Sequence, residues 1–370
     1  MMMKMSKLIL VSVALVWCLG EVVQGFTYDD KELETEQGKM AMFERWRSHH
    51  QMEEINEQKK NAQYNNFKNT LKLVHSTNKA NKSYKLELNR FAGMNLEELQ
   101  QHTGFKSPPG DCPKKQDEAK ANRDGQPFMF RNFTDIPPKL DWRTKNAVGP
   151  VKNQQGCGSC YAFAGVEAVE GLHAVKNKQL VELSPKELVD CANVGGCNGG
   201  YFTACYEYIA KHGGLTTMKN YPYVPKVEPC NLQKEKDIAV EVHGYENMPS
   251  PGIEEDMYKV VANQPLACCM EWNENVSAYK EGIFDGDCGP KIQHAISVVG
   301  YDQTADGQKY WIIKNSWGEG WGEKGYMRLA RDTGGEGRCK IAHWCAYPTL
   351  EDTGTKHKDE DIIVKGQKDL

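Results

Sequence analysis

The chain has 370 residues, enough for a core of more than two hundred residues plus accessory segments. Its 46 basic and 50 acidic residues leave a net charge of −4, so bulk electrostatics make no case for a nucleic-acid partner. Thirteen cysteines make the redox compartment a central question.

In chain order, the start carries Lys4 and Lys7, the apolar run from Leu8 to Leu19, and then Val23-Gln24-Gly25. This is the pattern of a secretory signal peptide, with cleavage after Gly20 or Gly25 both fitting the small-residue rule. The run is too short to span a bilayer and no later run reaches that length, so no membrane span is expected. Entry into the secretory pathway permits disulfides. Cys18 leaves with the signal peptide and Cys112 lies apart; eleven cysteines remain from residue 136 onward, the odd number expected of paired cysteines plus one kept free.

The region 27–105 is polar, with apolar residues at helical spacing: Phe43 and Trp46, then Phe67, Leu71 and Val74. Ser83 to Leu88 alternates like a strand, and Asn95 to His102 reads as another helix. From Lys106 to Phe128 the composition turns to Pro, Gly, Lys and Asp, an exposed linker of the kind proteases cut. A denser region starts at Ile136 and runs to about Leu350. Its first half reads helical: Cys160 to Val175, a capping box at Ser184-Pro185-Lys186-Glu187, and Tyr201 to Lys211 ending at Gly213-Gly214. Its second half reads β, over Ile238–His243, Pro265–Met270, Ala295–Val299, Tyr310–Lys314 and Tyr326–Ala330. A helical half followed by a β half predicts an α+β architecture of two lobes with a cleft between them. The tail after Leu350 is almost wholly polar and has nothing to bury. Sequons at Asn81, Asn132 and Asn275 mark candidate N-glycosylation sites.

Around Cys160 the chain reads Gln154-Gln155-Gly156-Cys157-Gly158-Ser159-Cys160-Tyr161-Ala162-Phe163. Far downstream, His294 opens His294-Ala295-Ile296-Ser297-Val298-Val299-Gly300-Tyr301, and Asn315 opens Asn315-Ser316-Trp317-Gly318. A thiol nucleophile, an imidazole base and an amide able to orient that base thus occur in sequence. The other reading of Cys157 and Cys160 is a zinc or redox pair. No second pair or histidine pair follows at metal-ligand spacing, so no metal is expected.

These residues resemble the papain family of cysteine proteases. The resemblance covers almost the whole chain and is nearest to plant vignain-type endopeptidases, which usually carry an endoplasmic-reticulum retrieval tail. Phe43-Glu44-Arg45-Trp46-Arg47-Ser48-His49-His50, Asp141-Trp142-Arg143, Pro150-Val151-Lys152-Asn153-Gln154, Cys197-Asn198-Gly199-Gly200 and Gly282-Ile283-Phe284 extend the match. The resemblance implies a signal peptide over 1–25, an inhibitory propeptide with linker over 26–135, a mature two-lobed peptidase over 136–350 and a polar tail over 351–370. It implies an endopeptidase made as a zymogen, with Cys160 as nucleophile, His294 as its partner, Asn315 holding the imidazole, Trp317 shielding that bond and Gln154 as an oxyanion donor. The helix N-terminus and a neighbouring imidazolium are expected to favour the thiolate. The alternative is a catalytically silent relative acting as a binding or storage protein.

The resemblance also pairs Cys157 with Cys197, Cys191 with Cys230 and Cys288 with Cys339. Cys205, Cys268, Cys269 and Cys345 are expected as buried free thiols in preference to the alternative, a fourth bridge among them. Gly199 and Gly200 are expected to bind substrate backbone. Tyr201, Phe202, Cys269, Ile292, Ala295 and Trp344 are expected to line the pocket for the second residue upstream of the cut, which none of them charges. A large Trp344 at its floor makes that pocket shallow, favouring Val, Leu or Pro over Phe, unless Trp344 turns into the core. No cofactor is implied. The partners are protein and peptide substrates, the chain's own propeptide and cystatin-like inhibitors; a monomer is expected. The compartment is the secretory pathway, whether an endoplasmic-reticulum-derived body, the vacuole or lysosome, or the exterior. The departures from the family pattern include Tyr161 after the nucleophile, Gln293 before His294, and Gly93 where a pro-region motif carries Asp. The end, Gln367-Lys368-Asp369-Leu370, is an imperfect retrieval tail.

Overall fold

The computed structural model describes residues 25–106, 128–249 and 251–350. The expected signal peptide, most of the linker with Cys112, and the polar tail lie outside them.

Two helices open the described chain, α1 (Glu36–His49) and α2 (Glu57–Lys79). Each starts on a side-chain cap that satisfies an otherwise unpaired amide: Thr35 accepts from Gly38 N–H, and Asn56 from Lys59 N–H. The predicted apolar positions meet where the helices cross. Phe43 lies 5.4 Å from Phe67, and Trp46 lies 5.2 Å from Phe67 between ring centroids. The strand β1 (Tyr84–Leu86) follows, held to α2 by Asn78, whose side chain donates to Leu86 O and accepts from Leu86 N–H. After it come the short helix α3 (Leu96–Gln100) and an extended segment to Lys106.

From residue 140 the order is β2 (Leu140–Asp141), α4 (Cys160–Asn177), α5 (Pro185–Cys191), α6 (Phe202–His212), β3 (Gly244–Asn247), α7 (Glu254–Val261), β4 (Leu266–Glu271) and α8 (Glu274–Ser277). Then follow β5 (Tyr279–Phe284), β6 (Ile292–Gln303), β7 (Lys309–Lys314), β8 (Tyr326–Ala330) and β9 (Cys345–Thr349). The strands form one sheet in the order β1-β5-β8-β7-β6-β4-β9-β3, with β2 also on β6. Among the described strands, only the β5–β8 pairing is parallel. The helix α4 is buried along most of its length and packs on α5 and α6 on one side and on β4, β6 and β9 on the other. It therefore joins a helical lobe to a sheet lobe, an α+β fold.

The sheet extends into the N-terminal region, because β1 pairs antiparallel with β5. There Gly282 has φ +92°, and a Cβ on it would sit 2.3 Å from Ser83 O. That left-handed glycine, and the charged Lys280-Glu281 before it, hide β5 from pattern reading. Ile238–His243 is not the strand its alternation predicts. Val240 and Val242 do turn inward, but the segment pairs only through a bridge between Leu215 and Val240 and a bond from His243 N–H to Thr349 O at 3.3 Å. The ladder starts at Gly244, where β9 becomes available. The capping box at Ser184 is half-formed. Ser184 Oγ accepts from Glu187 N–H, but Glu187 Oε2 takes Thr216 N–H instead of reaching back.

Disulfides join Cys157 to Cys197, Cys191 to Cys230 and Cys288 to Cys339. The expectation that Cys268 and Cys345 are free thiols is corrected. They stand opposite one another on β4 and β9 and are bonded. Cys160, Cys205 and Cys269 are not disulfide-bonded. Asn81 and Asn132 are exposed, whereas Asn275 is half-buried and donates through Nδ2 to Asp287 O.

Candidate active site

Cys160 is the first residue of α4, and its predecessor Ser159 makes no side-chain cap. The loop before it is pinned to the Gly199–Gly200 wall by the Cys157–Cys197 bond and by Gly158 N–H donating to Cys197 O at 3.0 Å. Across the lobes, β6 delivers two consecutive residues. Ala295 N–H donates to Cys160 Sγ at 3.3 Å, and His294 donates through Nε2 to Asn315 Oδ1 at 2.8 Å. His294 Nδ1 is buried and has no hydrogen-bond partner. Trp317 stacks on the imidazole at 4.6 Å and covers the bond to Asn315. Cys160, His294, Asn315 and Gln154 are all buried.

Gln154 is held at several points. Its N–H donates to Ser316 O at 2.8 Å, Ser316 Oγ donates to its Oε1 at 2.6 Å, and its Nε2 donates to Cys157 O at 2.8 Å. Ser316 N–H also donates to Asn315 Oδ1, so one serine bonds both the imidazole's anchor and the amide. Tyr223 completes the frame: its hydroxyl donates to Gln154 O at 2.9 Å and shares a hydrogen bond of 2.9 Å with Ser159 Oγ. Sequence reasoning missed both. Ser316 was visible only as a neighbour of Asn315, and nothing in the motif around Tyr223 marks it.

An extended strand from the N-terminal region, residues 102–106, fills the cleft. Trp317 Nε1 donates to His102 O at 2.7 Å, and Gln154 Nε2 reaches Thr103 O at 3.4 Å. Gly104 and Phe105 both donate to Gln293 O, Gly200 N–H donates to Gly104 O at 2.8 Å, and Lys106 N–H donates to Gly200 O at 2.9 Å. The backbones touch: Gly104 has φ +139°, and a Cβ there would lie 2.1 Å from Gly158 O. The Phe105 ring enters the apolar pocket, stacked on Phe202 and edge-on to Trp344, each at 5.5 Å. Tyr201, Cys269, Ile292 and Ala295 belong to the same apolar cluster. The expectation of a shallow pocket favouring Val, Leu or Pro over Phe stands beside a phenyl ring that packs edge-on against Trp344.

Burial shifts the titration of both reacting groups. It pushes the Cys160 thiol up to about 12 and the His294 imidazole down to about 4. Burial thus opposes the thiolate expected from the helix N-terminus.

The papain family cysteine protease model matches residues 136–349, and the cathepsin propeptide inhibitor domain model matches residues 43–99. The chain belongs to the papain family of cysteine proteases. It is 40% identical to cysteine protease Amb a 11.0101 of Ambrosia artemisiifolia, over 95% of this chain and 90% of that one. It is equally 40% identical to the KDEL-tailed cysteine endopeptidase CEP2 of Arabidopsis thaliana, over 91% and 94%. Among solved structures, the proform of the Amb a 11 cysteine protease superposes with a TM-score of 0.80 at 39% identity, covering 89% of this chain and 99% of that one. A recombinant stem bromelain precursor gives 0.74 at 34%, covering 85% and 99%. This papain-family chain is a cysteine endopeptidase made as a zymogen, and its N-terminal region is its own inhibitor.

Proposed function

We propose that Cys160, His294, Asn315 and Gln154 perform peptide-bond hydrolysis once residues 102–106 leave the cleft. Water then reaches the site, and a proton moves from Cys160 Sγ to His294 Nδ1, the nitrogen left free by the bond from Nε2 to Asn315. The thiolate attacks the scissile carbonyl carbon, and the oxyanion accepts from the Cys160 N–H and Gln154 Nε2. His294 returns the proton to the leaving amine, which leaves a thioester on Cys160. Water, deprotonated by His294, attacks the thioester and releases the acid and the free thiol.

The observation that carries this reading is the bond from His294 Nε2 to Asn315 Oδ1 at 2.8 Å, one residue from the Ala295 amide that touches Cys160 Sγ. Cys160→Ala is expected to abolish hydrolysis of peptide amides by the mature protein while its fold, followed by circular dichroism, stays intact. Full activity in that variant would overturn the assignment. No observation favours the catalytically silent relative.

The finer assignments follow from the same reading. Maturation removes residues up to about 130–136, and Gly199 and Gly200 bind substrate backbone in the way that Gly200 now bonds Gly104 and Lys106. Cystatin-like inhibitors compete for the same cleft, and the enzyme acts as a monomer. The disulfides and the KDEL-tailed relative agree with a secretory or vacuolar setting. Retention in an endoplasmic-reticulum-derived body depends on whether Gln367–Leu370 is read as a retrieval signal.

A further inference from the structure

The loop from Gln154 to Ser159 separates the two groups assigned to the oxyanion, the Gln154 side chain at its start and the Cys160 N–H just past its end. Gln154 Nε2 has two hydrogens: Cys157 O holds one at 2.8 Å, which leaves the other for the cleft, where Thr103 O lies 3.4 Å away. The backbone between the two donors is not in a resting conformation. Gln155 stands at φ +54°, left-handed and rare for an L residue, so the loop needs support from outside. Tyr223 supplies it. With its proton on Gln154 O at 2.9 Å, its oxygen accepts from Ser159 Oγ at 2.9 Å, a shorter contact than the 3.3 Å from that hydroxyl to Cys157 O. One phenol thus bridges both ends of the loop. The ring is placed separately, edge-on to Phe163 at 4.8 Å, about one turn along α4 from Cys160. Burial pushes the hydroxyl up to about 12, so it keeps its proton through the neutral and acidic range.

We propose that Tyr223 is a positioning residue for the oxyanion site, its hydroxyl holding Gln154 and the Ser159–Cys160 peptide at the separation that lets both N–H donors meet one oxygen. The proposal rests on the assignment of those two donors to the oxyanion. A donor stabilises a developing charge only within a narrow window of distance, and a misplacement of about 1 Å can cost a hundredfold. Ser316 fixes Gln154 alone of the two segments, through Oε1 and the backbone N–H. Tyr223 touches both. The bonds that place the thiol and the imidazole run through Ala295 and Asn315 instead, so losing the hydroxyl leaves the nucleophile and its partner in place.

The test is Tyr223→Phe in mature enzyme, which keeps the ring against Phe163, with rates expressed per thiol titrated by an epoxide-type inhibitor. For a peptide amide, kcat is expected to fall about tenfold with KM within about twofold. Alkylation by iodoacetamide needs no oxyanion and should stay within about twofold, with its pH profile unchanged in shape. Ser159→Ala removes the other end of the bridge and should lower kcat about threefold, again without slowing alkylation. In a Gln154→Ala background, Tyr223→Phe should cost no more than about threefold, since only the Cys160 donor is left to misplace. An unchanged kcat in Tyr223→Phe, an equal fall in hydrolysis and alkylation, or the full loss in the Gln154→Ala background overturns the proposal. If Tyr223→Phe gives no titre, Ser159→Ala decides by the same measurements. A wild type with no reactive thiol overturns the functional reading itself, an outcome distinct from a normal titre whose kcat ignores the hydroxyl.

Discussion

The carbonyl oxygen of Thr103 lies 3.4 Å from Nε2 of Gln154, so a backbone carbonyl of the pro-segment already occupies the donor proposed for the oxyanion. Inhibition here combines two effects. The strand fills the site, and burial raises the thiol and lowers the imidazole, which opposes the reactive ion pair.

The backbone contact at Gly104 gives the first prediction. Gly104→Ala puts a methyl group against Gly158 O in a conformation that L residues rarely adopt. Alkylation of Cys160 in the uncleaved proenzyme should rise at least about tenfold, the equivalent of losing some 1.4 kcal/mol of pro-segment seating. The labelling rate of intact proenzyme measures it.

Gln154→Ala should reduce kcat about a hundredfold, the usual loss for one oxyanion donor. Alkylation of Cys160 by iodoacetamide needs no oxyanion and should change little. Steady-state hydrolysis and alkylation rates, measured side by side on mature enzyme, check this.

Gly93 occupies a position where the family motif carries Asp. The structure supplies a steric reason for Gly. A Cβ at Gly93 would lie 2.6 Å from Gln63 Cγ and 2.7 Å from the Trp46 ring. Gly93→Asp should therefore destabilise the pro-region by about 1–3 kcal/mol through overpacking. Self-processing should accelerate at every pH, without a new titration step; the rate of processing across a pH series decides.

Two kinds of group oppose one another in the response to pH. Burial lowers His50 and His102 to about 4 from 6.5, so their contribution to holding the pro-region is full above 6.5 and is lost as pH falls towards 4. Burial raises Glu87, beside Lys280 and Glu281, to about 7 from 4.5, so its contribution is full below 4.5 and is lost as pH rises through 7. Glu87→Gln should slow self-processing near pH 7 and leave it unchanged near pH 4, as followed by gel over time.

Much of this molecule was legible as sequence because its parts carry local signatures. The helix starting at Cys160, the apolar stripe of Phe67, Leu71 and Val74, and the strands around His294 follow from periodicity alone. What escaped depends on contacts between distant segments. The β5 strand needs β1 from the pro-region before its Gly282 makes sense, and Tyr223 acts only because the fold brings it under the Gln154–Ser159 loop. The Cys268–Cys345 bond could not be chosen from four equivalent cysteines without the β4–β9 register. The raised thiol of Cys160 and the lowered imidazole of His294 were illegible for the same reason, since they come from burial between distant segments.

The central claim, that residues 102–106 suppress a competent thiol by burying it, is tested most directly by one comparison. An epoxide-type thiol inhibitor is added at mildly acidic pH to intact proenzyme and to the same preparation after the pro-region is removed, and the labelled peptide is identified by mass spectrometry. The account predicts a single label, at Cys160, in the mature protein and none in the proenzyme. Equal labelling of both forms, or a label on any other cysteine, would contradict it.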